Sequence, residues 1–280
     1  MRRIAIINQK GGVGKTTSAV NLAAALAIAG KRVCVLDLDP QAHATTYLGL
    51  LPTGEHPSIY DVLVNNKPLA QARQQVAENL YVAGSDINLA AAEVELAGVV
   101  GREVILRDAL AEDAEPFDFI LMDCAPSLGV LTVNALSAAH EVFIPLQPHF
   151  LALHGLGKLL ETTALVAKRI NPALRVTGVL LCMYESSTKL AQEVAANLQD
   201  YLDKSRGTKA PWADARLFET RIRRNIKLAE CPSFGQSIFG YAPGCHGAAD
   251  YLALAREVLG EEILPEPEAI SPLFAEPVTS

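Results

Sequence analysis

A glycine-rich segment near the N-terminus carries residue types that bind phosphate. It reads Gln9-Lys10-Gly11-Gly12-Val13-Gly14-Lys15-Thr16-Thr17 and lies between a short apolar run and a helical pattern. Backbone N–H groups converge on a phosphate where glycines leave room and adopt unusual dihedral angles. A helix beginning near Lys15 adds its positive dipole end. Lys15 can reach the β- and γ-phosphates, and the Thr16 hydroxyl can bind Mg²⁺. The segment therefore predicts a site for ATP and Mg²⁺, formed by Gly11, Gly12, Val13, Gly14, Lys15, Thr16 and Thr17.

Aspartates at the ends of two predicted strands can complete this site. Asp37 and Asp39 lie at the end of Val33–Leu38, and Asp123 directly follows Phe119–Met122. Open α/β sheets bind ligands at the carboxyl ends of their strands. Four apolar residues before an aspartate match the Walker B pattern, which predicts that Asp123 holds Mg²⁺ through a water. For Asp37, a supporting hydrogen bond to the site and a structural strand-end cap both remain open.

The elements that must position these residues alternate along the chain. Apolar, β-branched runs predict strands at Ile4–Ile7, Val33–Leu38, Phe119–Met122, Val142–Leu146 and Val176–Leu181. Helical patterns lie between them, at Thr17–Ala29, Leu128–Ala139 and Leu153–Ile170. This alternation predicts the α/β class, with a P-loop NTPase-like, mostly parallel twisted sheet and helices on both faces.

The composition of the chain restricts its possible classes of protein and its cellular compartment. Half of the 280 residues are hydrophobic and the net charge is −7, which argues against an overall positive coat but allows a local basic patch. Five scattered cysteines without a C-x-x-C pair favour a reducing cytoplasm. We see no signal peptide and no apolar run long enough to span a bilayer, so no membrane association is expected. Residues 1–260 are predicted to form one domain, and the acidic, proline-rich residues 261–280 a flexible tail.

The phosphate loop departs from the usual G-x-x-x-x-G-K-[ST] pattern, because Gln9 takes the place of the first glycine and Lys10 is a second lysine. In this form it resembles the deviant Walker A motif of the ParA/MinD ATPases. The resemblance implies a homodimer that encloses ATP, with Lys10 reaching the partner's phosphates. The D-L-D-P-Q run resembles switch I of that family, which implies that Asp39 orients the attacking water. The catalytic candidates are therefore Lys10, Lys15 and Asp39, and Asp123-x-x-Pro126 resembles switch II.

Three further segments resemble chromosome-type (Soj-like) ParA proteins, so that the resemblance covers roughly residues 1 to 260. They are Gln41–Thr45, Ala125–Leu128 with Asn134–Leu136, and Leu228–Gly235. One departure is Ala42-His43 in place of the usual Gly-Asn. The resemblance implies slow ATP hydrolysis stimulated by a ParB-like protein, segregation of chromosome or plasmid DNA, and a cytoplasmic, nucleoid-associated location.

A basic segment concentrates four cations within seven residues: Arg221, Arg223, Arg224 and Lys227. Such clusters bind phosphate backbones, although a solvated helix start is an equal alternative on composition alone. The resemblance favours non-specific DNA binding, with Lys189 at the start of the predicted helix Lys189–Leu202 as a further contact. Arg223 stands where the family commonly has a proline near the adenine, which leaves the base contact open.

Other activities remain as alternatives. A MinD-like ATPase that cycles on membranes needs a basic amphipathic C-terminal helix, and the acidic tail counts against one. A positioning ATPase that moves a protein cargo stays open, because the sequence does not specify the cargo. A redox ATPase like the nitrogenase iron protein needs two cysteines per subunit to share an Fe–S cluster. Cys124 could be one of them, but no second cysteine lies in a matching Cys-Gly-Gly context. A related metabolic ligase needs a carboxylate-substrate site, which we do not identify.

Overall fold

The computed structural model describes residues 1–150 and 152–261. Over these residues the strands are β1 (Arg2–Ile6), β2 (Val33–Leu38), β3 (Arg73–Ala77), β4 (Leu80–Ala83), β5 (Phe119–Cys124), β6 (Glu141–Leu146), β7 (Arg175–Tyr184), β8 (Arg216–Leu217) and β9 (Ile222–Arg223). The α-helices are α1 (Lys15–Ile28), α2 (His43–Tyr47), α3 (Ile59–Val64), α4 (Leu69–Ala72), α5 (Leu89–Glu95), α6 (Ile105–Glu112), α7 (Val130–Ala138), α8 (Ala152–Arg169), α9 (Lys189–Ser205), α10 (Ile226–Glu230), α11 (Ile238–Tyr241) and α12 (His246–Leu259).

The sheet has the order β3-β4-β2-β5-β1-β6-β7-β8, and β9 pairs with the far end of β7. Every pairing is parallel except that of β3 with β4. Strand β1 lies between β5 and β6, and Asp37 of β2 is in register with Asp123 of β5. The phosphate loop after β1 and the aspartates of the neighbouring strands therefore meet at one edge of the sheet.

Alternate residues of β1 and the adjoining Ile7 show which helices cover each face of the sheet. Ile4 and Ile6 pack into a cluster that includes residues of α1 and α12. Ala5 and Ile7 pack into a second cluster, on the opposite face, that includes residues of α7 and α8. Successive side chains of a strand point to opposite faces, so both faces carry helices and both are buried. The α/β class and the mostly parallel sheet predicted from the sequence are confirmed.

Four strands were not predicted. β3 has the sequence RQQVA and is only partly buried, so it lacks the apolar pattern of the central strands. It forms the edge of the sheet, where polar side chains are common. β4 is a four-residue run, and β8 and β9 have two residues each, below the length that a pattern detects. β7 runs three residues past the predicted Leu181, and its pairing is irregular at Met183, whose φ of 51° is left-handed.

The last helix ends at Leu259, where Gly260 with φ 75° forms a left-handed cap. The acidic tail predicted at 261–280 lies outside the described residues except for Glu261. In the part of the chain that the structure describes, no helix combines the length and apolar character needed to cross a bilayer.

Candidate nucleotide-binding site

The phosphate loop is shaped by two glycines. Gly12 and Gly14 have φ values of 72° and 94°, which favour glycine, and Gly14 caps the N-terminus of α1. The amide of Ser18 donates to the Gly14 carbonyl at 2.9 Å, which closes the first turn of the helix. Gly11 differs from them, because its φ is not left-handed and a Cβ there would meet no described protein atom within 4 Å. The backbone itself therefore requires glycine only at the other two positions.

Asn8 ties the start of this loop to the neighbouring strand. Its amide donates to the Pro145 carbonyl at 2.7 Å, and its Oδ1 accepts the backbone N–H of Lys10 at 3.0 Å. The exposed ammonium of Lys10 lies 2.8 Å from Nε2 of His149. Partial burial and the Lys10 charge lower the pKa of His149. The neutral imidazole can therefore accept a hydrogen bond from the lysine.

Lys15 is buried at the base of the loop, with 7% of its surface exposed. Its Nζ donates to the backbone carbonyl of Lys10 at 3.3 Å. Burial lowers the pKa of Lys15, and the nearby carboxylates of Asp123 and Asp39 oppose that shift. The ammonium thus lies among opposite charges directly beneath the loop.

Asp123 is fully buried at the end of β5, and neither carboxylate oxygen has a hydrogen-bond partner among the described residues. Burial, followed by repulsion from Asp37, raises its pKa well above the usual range, while the Thr16 side chain and Lys15 lower it. A buried carboxylate without partners is costly unless a cation or donor completes it. Carboxylate and hydroxyl oxygens are ligands that Mg²⁺ accepts, so Asp123 and Thr16 fit this ion.

Residues 1–150 and 152–261 contain no group of three His, Cys, Asp or Glu side chains that could hold a metal by itself. Mg²⁺ at a nucleotide site is held by one or two protein groups, by phosphates and by waters rather than by a protein cage. The small protein ligand set is therefore the one expected for such a site.

Asp37 and Asp39 make different contacts. Asp37 accepts the backbone amide of Thr45 at 2.8 Å and its hydroxyl at 2.7 Å, and it also accepts the amide of Asp39 at 3.2 Å. Burial raises the pKa of Asp37 to about 6, and these hydrogen bonds lower it. Asp39 has 8% of its surface exposed, accepts the amide of Gln41 at 3.0 Å and lines the cleft. Asp37 thus fixes the start of α2, and Asp39 faces the site.

An open cleft of about 730 Å³ joins these groups. The phosphate loop forms one side, with Asp39 and Pro126 next to it. The other wall consists of Met183, residues 222–226, Leu228, Ala229 and Tyr251. The cleft therefore combines a phosphate-binding end with a wall that is partly apolar, as nucleotide sites do.

Comparison with known proteins agrees with this geometry. A protein-family model for an AAA domain matches residues 1–176. The chromosome-partitioning ATPase Soj of Treponema pallidum is 42% identical over 262 residues, which cover 93% of this chain and 98% of that protein. The sporulation initiation inhibitor protein Soj of Bacillus subtilis is 43% identical over 256 residues, covering 91% and 97%. This chain belongs to the ParA family of ATPases.

A solved structure shows the same fold. Cobyrinic acid a,c-diamide synthase from Mycobacterium smegmatis, with a bound ATP analogue and magnesium, superposes with a TM-score of 0.77 and is 34% identical. The match covers 92% of this chain and 94% of that one. ParA/MinD ATPases use ATP and Mg²⁺, the cofactors predicted from the loop.

The basic segment of this ParA relative lies beside the end of β7, because β9 pairs there with β7. Arg221 donates to the Tyr184 hydroxyl at 2.6 Å and lies over its ring. Arg224 forms an ion pair with Glu185 at 2.5 Å, and Lys189 is exposed at the start of α9.

The other two cations of the segment are also paired. Lys227 lies 2.9 Å from Glu230, and Arg223 is bound to Asp250. The segment is therefore less positive than its sequence suggests, and its role at DNA stays a prediction.

The residues that follow the Gln41–Thr45 motif contact the Leu228–Gly235 motif in the structure. The Tyr47 hydroxyl accepts from the Asn21 amide at 3.0 Å and donates to the Leu228 carbonyl at 3.2 Å. Gly49 and Gly235 lie so close that a Cβ on Gly49 would be 3.1 Å from the Gly235 carbonyl oxygen. Helix α2, which begins beside Asp39, is thereby joined to the start of the basic segment's helix α10.

Sequence reasoning missed several residues of the site. Asp250 and Tyr251 come from α12, far along the chain, and no pattern marked them. Met183 is a non-glycine residue at positive φ, which its sequence does not reveal. His149 follows the end of β6, so the rule that ligands bind beyond strand ends could have indicated it.

Proposed function

We propose that this chain binds ATP with Mg²⁺ in the cleft and hydrolyses its γ-phosphate. The observation that carries the proposal is the buried Asp123 carboxylate, which accepts no hydrogen bond of ordinary geometry from the described residues and lies near the Thr16 hydroxyl, Lys15 and Asp39. A fold does not retain such a group for its stability, because an unpaired buried carboxylate opposes folding. A bound cation at the phosphate loop satisfies it.

The roles of the residues follow from their positions. The loop amides of residues 11–17 and the α1 dipole bind the phosphates, and Lys15 neutralises them from below. Thr16 and Asp123 would hold Mg²⁺, which neutralises phosphate charge when bound. Asp39, fixed by the Gln41 amide at the cleft, accepts a hydrogen bond from the attacking water and orients it.

We further propose that ATP closes two copies face to face, with Lys10 of each copy acting on the nucleotide of the other. Its ammonium is exposed and contacts His149 rather than its own loop. An exposed cation at the rim of the cleft is free to approach a second nucleotide, where it would stabilise the charge that develops during hydrolysis.

The ATP-bound dimer would bind DNA non-specifically through Lys189, Arg221, Arg224 and Lys227, with Arg223 as the remaining predicted contact. A ParB-like partner would stimulate the otherwise slow hydrolysis, and the protein would act in the cytoplasm on the nucleoid. The ion pairs of Arg224 and Lys227 are largely exposed, and exposed pairs contribute little to stability. DNA phosphates can therefore replace Glu185 and Glu230 at little cost.

Co-sedimentation with non-specific duplex DNA tests this proposal. Binding should require ATP rather than ADP, weaken from low to moderate salt, and fail in Arg224→Ala/Lys227→Ala. The control Arg107→Ala/Lys158→Ala removes two cations from α6 and α8 and should bind as the wild type does.

Wild-type chain that binds no DNA with any nucleotide would refute the DNA step. If ATP is still hydrolysed, the ATPase would act on a protein cargo or on a membrane, as in the MinD-like alternative, and not on DNA.

A further inference from the structure

The wall of the cleft across from the phosphate loop contains a charged residue, Arg223. It lines the same cleft as Gly12 and Thr16, and 48% of its side chain is exposed. Arg224 lines the cleft as well, but its partner Glu185 is 46% exposed, whereas the partner of Arg223, Asp250, is 8% exposed. A cation in the cleft that is held by a buried carboxylate indicates a role at the nucleotide.

Asp250 of α12 holds this arginine in place. The Nη2 and Nε atoms of Arg223 both donate to Oδ1 of Asp250, at 2.6 and 3.0 Å, and Nε also lies 3.2 Å from Oδ2. The backbone amide of Arg223 donates to the same Oδ2 at 2.9 Å. The Asp250 side chain is only 8% exposed. A buried carboxylate thus fixes both the backbone and the guanidinium, which lowers the entropy lost when the arginine contacts a ligand.

The wall that contains Arg223 is partly apolar, although Arg224 and Asn225 also belong to it. Ile226 and Met183 line the cleft with Arg223, and Met183 is held at a left-handed φ by the irregular end of β7. A nucleotide whose phosphates lie on the loop extends its base away from the loop, into the remainder of the cleft. A fixed planar cation among apolar side chains suits a flat aromatic ring, because it can stack on the ring or donate to its nitrogen and oxygen acceptors.

We propose that Arg223, fixed by Asp250, contacts the nucleobase and supplies the part of nucleotide affinity that depends on the base. This inference rests on the proposed nucleotide site. It assigns Arg223 to the base end of the cleft and leaves Arg224 and Lys227, whose ion pairs are largely exposed, as the cations proposed to bind DNA.

The test compares two probes by isothermal titration: Mg-ATP, and inorganic tripolyphosphate with Mg²⁺, which has the phosphates but no base. Arg223→Gln should weaken ATP binding by roughly 5- to 10-fold and leave tripolyphosphate affinity within about 2-fold, since a cation at an aromatic face contributes about 1 kcal/mol. Arg223→Lys keeps the charge opposite Asp250 but lacks the planar fork, and it should lose most of the same factor. Arg107→Gln is the control, because it removes an exposed arginine of α6 that lies outside the cleft, and it should change neither affinity.

An equal loss for both probes would overturn the inference, since Arg223 would then act on the phosphates by charge alone. Unchanged ATP affinity in both Arg223 variants would also overturn it and would return Arg223 to the DNA surface. Wild-type chain that binds neither probe would refute the proposed nucleotide site itself. That result differs from a failure of the base contact, in which the wild type and the variants bind ATP equally well.

Discussion

The phosphate end and the far wall of the cleft differ in how their charges are satisfied. At the phosphate end, Asp123 has no hydrogen-bond partner from the described residues, and the Lys15 ammonium donates to a single carbonyl at 3.3 Å. At the far wall, Arg223 is bound to Asp250, and Arg224 and Lys227 each form an ion pair. The two regions line one cleft, yet only the first leaves a buried charge uncompensated.

This difference separates a site that a ligand must complete from one that is stable without it. Buried groups left unpaired cost folding free energy, and proteins retain them where function requires them. At the far wall the pair of Arg223 with Asp250 joins β9 to α12 before any ligand binds. Substitutions at the phosphate end should therefore reduce function without loss of stability, whereas substitutions at the buried supports of the far wall, such as Asp250 and Tyr47, should reduce stability.

The largest effect is expected at Lys15. Lys15→Ala removes the buried cation beneath the phosphates and should weaken Mg-ATP binding by at least about 100-fold, or about 2.7 kcal/mol. Isothermal titration measures the affinity, and Lys158→Ala on α8 is the control for loss of a lysine. Near wild-type affinity in Lys15→Ala would contradict the inference that the phosphate end of the cleft is the part that a ligand completes.

Asp39→Ala should separate binding from turnover. Without the carboxylate that orients water, hydrolysis should fall by about 100-fold while ATP still binds. The ATP-bound dimer should then accumulate, as measured by light scattering after size exclusion, and the exposed Asp214→Ala should behave as the wild type. A monomeric Asp39→Ala in the presence of ATP would contradict the role given to this residue.

Asp123→Asn should abolish hydrolysis and yet stabilise the protein without nucleotide or Mg²⁺. Burial raises the pKa of Asp123, so the carboxylate's cost to folding is absent below its unfolded pKa of about 4 and grows as the pH rises. The variant should gain about 1–3 kcal/mol at pH 7.5 and lose that gain near pH 4.

Chemical denaturation at the two pH values measures this change, with the exposed Asp108→Asn as the control. An Asp123→Asn chain that is less stable than the wild type at pH 7.5 would show that Asp123 is satisfied in a way the structure does not show.

Tyr47→Phe tests the link between the two ends. The substitution keeps the buried ring but removes the hydroxyl that joins Asn21 to the Leu228 carbonyl. The free energy of unfolding should fall by about 1–2 kcal/mol, because the buried carbonyl loses its donor. Tyr201→Phe on α9, where the ring is 37% exposed, should change it by less than about 0.5 kcal/mol.

The smallest effect is expected at Ala42, which adopts φ 51° before α2. Ala42→Gly should stabilise the protein by about 0.5–1 kcal/mol, because a left-handed conformation costs alanine about 1–2 kcal/mol and glycine's greater unfolded-state entropy offsets part of the gain. Ala196→Gly in the middle of α9 should instead destabilise by about 1 kcal/mol. Thermal unfolding of both variants checks that the two signs are opposite.

The structure brings together the residues that the sequence assigned to the phosphate end, because the information that marks them is local. The loop is nine consecutive residues, and Asp39 and Asp123 follow apolar strands that a pattern detects. The neighbouring order of β2, β5 and β1, which brings these residues to one edge, was not predicted and is seen only in the structure.

The far wall was not predictable in the same way. Arg223 and its partner Asp250 are 27 positions apart and on different elements, so the ion pair depends on how α12 packs against β9. The four cations of the basic segment suggested an open positive patch, because the sequence does not show which acidic residues fold against them. Likewise, the structure gives no backbone reason for glycine at Gly11.

The contact between Gly49 and Gly235 has a consequence for how this chain can vary in evolution. A Cβ on Gly235 would lie 3.0 Å from the Gly49 Cα, and both residues have positive φ. Each is already the smallest residue, so a side chain gained at one position cannot be compensated by a reduction at the other. The two positions are therefore coupled in evolution: a side chain at either glycine requires the backbone of the two loops to move apart, besides the strain of a positive φ.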